Sequence, residues 1–136
     1  MAANTSPIFP LTPIVGIATL TSATAITSRA NITGTTGLVQ LTATSTNGTR
    51  VDAITVTAKG TTVANLVDIW VYNGTTSYLY AEIAVTAITP STTTAAFTST
   101  TTFANLTLPP TYQLFISEQV GTTSADFNVV AFGGQY

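Results

Sequence analysis

The chain has 136 residues and a mass of 14.0 kDa, with three Lys+Arg, five Asp+Glu, no His and no Cys. One domain is expected at that length. Without Cys or His there is no disulfide framework, no thiolate nucleophile, no zinc–thiolate site and no His-based catalytic arrangement. Three cations are too few for the roughly six or more phosphate contacts that sustain nucleic-acid binding.

Charged residues are 6% of the chain, against about 25% in an ordinary soluble domain. Threonine fills much of that place, with 32 copies. Thr is β-branched and suits a pleated strand better than a helix. A vocabulary of Thr, Val, Ile and Ala therefore predicts an all-β fold. Low charge also bears on assembly. A folded chain of this mass exposes roughly 6,700 Å², or about one charge per 840 Å². Interface centres are depleted in charge, so wide uncharged areas fit for docking are expected.

Residues 1–13 read as an extended N-terminal arm ahead of a domain at 14–136. Pro7, Pro10 and Pro13 hold it extended, and Ile8, Phe9 and Leu11 lie between them. Those three side chains cannot be buried by the arm itself and are candidates for contact with a neighbour. The stretch Ile14-Val15-Gly16-Ile17-Ala18 imitates a signal peptide, but no Lys or Arg precedes it. No apolar run nears the ~18 residues of a spanning helix. A soluble product made in the cell interior, with no membrane partner, is expected.

From residue 14 onward, β-rich runs and turn signals alternate. Strands are predicted at 14–20, 37–44, 51–59, 63–72, 78–88, 95–103, 105–108, 112–118 and 126–132. Turns are expected at Asn47-Gly48, Asn73-Gly74 and Pro109-Pro110, among others. Many short strands with regular turns predict a single antiparallel β-sandwich, jelly-roll-like in form.

The clearest unit is the hairpin 63–72/78–88. Joined by a loop at 73–77, it pairs residues whose numbers sum to 150, placing Tyr72 opposite Tyr78, Trp70 opposite Tyr80 and Asp68 opposite Glu82. Leu79, Ala81, Ile83 and Val85 then face the core with Val67, Ile69 and Val71. The other face carries Trp70, Tyr72, Tyr78 and Tyr80, an aromatic cluster suited to a partner interface. Its alternative use is cross-strand pairing that stabilises the hairpin, covered by the N-terminal segment. Asp68 and Glu82 are the minimum pair for glycoside hydrolysis. A salt link to Arg50, Lys59 or Arg29 is the better reading, because no pocket is visible around them. Five Asn-x-Ser/Thr triplets, at Asn4, Asn31, Asn47, Asn73 and Asn105, are what a Thr-rich chain generates by chance. No enzyme activity, metal, cofactor or small-molecule substrate is expected.

Residues 31–136 resemble a family of small β-sandwich virion structural proteins of tailed bacteriophages and prophages. The resemblance is carried by Thr46-Asn47-Gly48-Thr49-Arg50-Val51-Asp52, Gly60-Thr61-Thr62, Val71-Tyr72-Asn73-Gly74-Thr75, Glu82-Ile83, Thr89-Pro90-Ser91 and Leu106-Thr107-Leu108-Pro109. The closing run from Phe127 to Tyr136 adds to it. The chain departs from the family pattern at Gln135 and Asp68. The resemblance implies a head decoration (cement) protein on the capsid surface, made in the bacterial host cytoplasm. Its implied partners are the major capsid protein and copies of itself, most simply as a homotrimer on a local symmetry axis. The alternative is a tail or fibre module that binds a host surface glycan through the aromatic face.

Overall fold

The computed structural model describes residues 10–21, 25–121 and 125–136. Nine strands and no helix occur among them: β1 (Thr12–Leu20), β2 (Ile32–Thr33), β3 (Val39–Gln40), β4 (Thr49–Ala58), β5 (Asn65–Tyr72), β6 (Thr76–Val85), β7 (Thr98–Leu108), β8 (Gln113–Glu118) and β9 (Phe127–Gln135). They form two sheets, ordered β1-β9-β4-β7 and β2-β6-β5-β8-β3. All strand pairs are antiparallel. The fold is the all-β sandwich that the composition predicts.

Alternation along each strand builds the core. Val51, Ile54, Val56, Phe127, Val129 and Ala131 point inward from the four-stranded sheet, and Val67, Ile69, Ile83, Val85, Leu114 and Ile116 from the five-stranded one. Each of these side chains larger than alanine, taken fully out of water, contributes about 1.5–3 kcal/mol before chain entropy is charged against it. The sheets meet again at one margin, where the Tyr80 ring on β6 lies 5.8 Å from the Phe103 ring on β7.

Three departures from the sequence reading change the architecture. Leu11 already donates its backbone N–H to Gln135 O (2.8 Å), and Thr12 and Pro13 lie within β1, so the sheet begins inside the stretch read as a free arm. Residues 1–9 are outside the described residues. The strand expected at 37–44 is reduced to β3, and a turn at 34–37 separates it from β2. The two strands expected at 95–103 and 105–108 are one, β7. It is interrupted where Val51 pairs with Leu106 while Ala53 pairs with Thr102.

The same irregularity involves β9. Val51 opposes Gly133 and Ala53 opposes Phe132, so Asp52 is an extra residue on β4. A side chain on Gly133 would overlap the Arg50 carbonyl oxygen and come within 3.0 Å of Val51 Cα. The bulge exists because Gly133 leaves room for the β4 backbone.

Residues 25–38 form a strap over the outer face of the five-stranded sheet. Ile26 N–H bonds to Glu118 O beside β8 (2.9 Å), and Arg29 reaches Glu82 on β6. Ile32 and Thr33 pair with β6, and Val39 and Gln40 return to β8. The inner face is filled by the core, so the chain crosses β5 on the outside, going and returning. The strap covers the outward-pointing residues of β5.

Candidate functional site

The β5–β6 hairpin has two registers. Asp68 opposes Glu82 and Ile69 opposes Ala81, as the sum of 150 requires. Beyond that point Trp70 opposes Leu79, Val71 opposes Tyr78 and Tyr72 opposes Ser77. The paired strands continue to Tyr72 and Ser77, leaving a tighter turn than expected in which Gly74 takes φ 98°. Tyr80 is the extra residue that reconciles this turn with the register at Asp68.

That bulge disperses the expected aromatic cluster, and the single exposed face is corrected accordingly. Trp70 is fully buried under the strap, and its Nε1–H donates to Ser117 Oγ (2.8 Å). It presents nothing to a partner. Tyr72 packs edge-on against Phe115 with 5.5 Å between ring centroids, and its hydroxyl donates to Gly74 O. Tyr78 and Tyr80 remain open, at 42% and 48% exposure. From the arm, Leu11 is 82% exposed, while Ile8 and Phe9 lie outside the described residues.

Asp68 and Glu82 are brought together as expected, but they are bound to protein groups. Gln119 Nε2 donates to both Asp68 oxygens (3.3 Å each) and to Glu82 Oε1 (2.8 Å). Arg29 Nε donates to the same Glu82 oxygen at 2.6 Å, the salt link the sequence favours. Asp68 is completely buried, and that burial pushes its carboxyl up to about 6, with the Glu82 charge adding to the rise against the Gln119 bonds. This is an anchor for the strap.

A second buried carboxylate was not singled out in the sequence. Glu118 lies opposite Val67 and so points between the sheets. Its Oε2 accepts from Asn65 Nδ2 (2.9 Å), whereas Oε1 has no hydrogen-bond partner. Burial pushes Glu118 up to about 7, with the Asp126 charge assisting against Asn65. Both carboxyls titrate above their ordinary values of 3.8 and 4.5, so the folded chain holds more protons than the unfolded one over this range. Stability is then highest near the acid end and falls as pH rises through about 6 and about 7. Glu118→Gln should stabilise the fold by on the order of 2 kcal/mol at pH 8 and change little at pH 5. Urea denaturation at the two pH values checks this, and an unchanged pH slope would count against it.

The surface best suited to docking is the outer face of β1-β9-β4-β7. Three rows cross it: Thr19–Asn128–Thr57–Thr98, Ile17–Val130–Thr55–Thr100, and Phe132–Ala53–Thr102. Ile17 is 70% and Phe132 46% exposed. No charged residue stands in the rows. The nearest charges are pairs beyond their ends, Arg50–Asp52 (2.9 Å) and Lys59–Asp126 (3.9 Å). Sequence reasoning missed this face because residues 14–18 and 129–132 are apolar at both parities, which hides the outward member of each pair. Comparison of the chain with protein families, curated proteins and solved structures found no match.

Proposed function

We propose that this protein is a non-enzymatic virion structural subunit, a capsid decoration protein that stabilises a tailed-phage head by binding between major capsid subunits. Its site would be the capsid surface, after synthesis in the bacterial host cytoplasm. The observation that carries the reading is the outer face of the four-stranded sheet between the Arg50–Asp52 and Lys59–Asp126 pairs, an uncharged stretch on which Ile17 of β1 and Phe132 of the neighbouring β9 are exposed. A decoration protein adds adhesion without chemistry, and it needs a rigid body with a broad uncharged surface that can approach another protein without stripping water from ions. The strand orders β1-β9-β4-β7 and β3-β8-β5-β6 support a jelly-roll reading of the sandwich. Burial of Trp70 weighs against a glycan-binding tail module, since the largest stacking surface is covered.

The test is cosedimentation of purified protein with undecorated heads of the phage that encodes it. Wild type should pellet with the heads, and the doubly substituted Ile17→Glu, Phe132→Glu chain should stay in the supernatant with an unaltered circular dichroism spectrum. Equal binding by the two would overturn the assignment of this face.

A further inference from the structure

We infer that two copies of this chain join along β7, residues 98–102 of one pairing antiparallel with the same residues of the other. This goes beyond the capsid-binding reading and does not depend on it. β7 pairs with β4 alone, so its far side presents backbone N–H and C=O groups with no strand partner among the described residues. Proteins normally blunt such an edge with charge, proline, short length or a cover. The other margins of this sandwich show those devices. β1 carries Pro13, and a side chain on its Gly16 would overlap the Leu41 carbonyl of the opposite sheet. β3 is two residues long, and β6 has β2 along one end and the Arg29–Glu82 ion pair beside it. β7 has eleven residues and contains no Lys, Arg, Asp, Glu or Pro. The irregularity at 103–105 ends its regular run, leaving 98–102 as the usable edge.

The occupant follows from symmetry. A two-fold contact sets each residue against its own copy or its mirror position, so a charge on the axis would meet its own like. The run Thr98-Ser99-Thr100-Thr101-Thr102 has none and reads almost the same in both directions. Pairing centred on Thr100 opposes Thr98 to Thr102 and Ser99 to Thr101, all combinations that stabilise neighbouring strands. A five-residue ladder alone is short for a stable complex. The exposed Tyr80 ring, packed on Phe103 at the same margin, comes beside residues 97–98 of the second copy and supplies aromatic burial. Pairing also makes one eight-stranded sheet. A single copy's outer face measures roughly 19 Å by 20 Å from strand spacing and rise, near 400 Å², about half of one partner's share of a standard interface of about 800 Å². Two joined faces reach that size.

Sedimentation of the full chain over a concentration series tests the inference. Wild type should form a dimer. Thr100→Lys and Thr100→Glu, each at an exposed position, should self-associate roughly tenfold to hundredfold more weakly, because like charges then meet at the two-fold axis. Mixing the two variants should restore a dimer, which a general loss of folding could not do. A wild type that stays monomeric at millimolar concentration, a dimer indifferent to both substitutions, a trimer, or a mixture that does not recover would each overturn it. Head binding measured on the same samples separates this outcome from that of the capsid-binding reading.

Discussion

Gly133→Ala is expected to cost about 3–5 kcal/mol, a large share of the roughly 5–15 kcal/mol that holds an ordinary domain folded. The reason is backbone against backbone. The new methyl would overlap the Arg50 carbonyl oxygen, lie 2.8 Å from the Arg50 carbonyl carbon and 3.0 Å from Val51 Cα. No side chain can swing aside, so the β4 bulge must open and Val51, which is buried, must move with it. Gly134→Ala is the control. Its added methyl would meet the ring of Pro10, a side chain that precedes β1, rather than a strand backbone. About 1–2 kcal/mol is expected there. Urea midpoints of the two variants at one pH decide the matter, and equal losses would mean that the bulge is softer than its geometry indicates.

Trp70→Ala should cost about 3–5 kcal/mol, the range for removing a fully buried aromatic ring. The ring has no exposed surface, and its indole N–H holds Ser117 Oγ, itself buried. The residues above it belong to the strap, so the loss should loosen residues 25–38 as well as lower global stability. Hydrogen exchange at Ile26 and Gly34, whose N–H groups bond to Glu118 O and Thr75 O, reports the first effect, and denaturation the second. Tyr80→Ala, at a half-exposed position, should stay within about 1 kcal/mol. The chain has one tryptophan, so its fluorescence should be short-wavelength when folded and shift to the red on unfolding. A red-shifted native spectrum would place the indole in water and contradict its burial.

Much of the fold was legible in the residues. The alternation Val67, Ile69, Val71 against Leu79, Ala81, Ile83, Val85 placed a hairpin at the right positions, and Asn73-Gly74 marked its turn. Its register was legible only in part. One residue at Tyr80 switches Leu79 from the core side to the outer side, where it opposes Trp70, and nothing in a period of two announces a bulge. The aromatic cluster was lost at that step. The Asp68–Glu82 pairing survived because it lies on the far side of the bulge.

What the residues determined alone was the class of molecule. Scarce charge, abundant Thr and strand-length apolar runs leave a β-sandwich as the way to bury enough surface, because those are local preferences repeated along the chain. Tertiary structure decided which apolar side chains are hidden. Trp70 is sealed because residues 25–38 cross above it, and Ile17 and Phe132 are open because nothing among the described residues crosses above them. Glu118 is buried because β8 sits with that face toward the core. Each outcome depends on contacts between positions far apart in sequence, and periodicity within a strand carries no record of what another segment will cover.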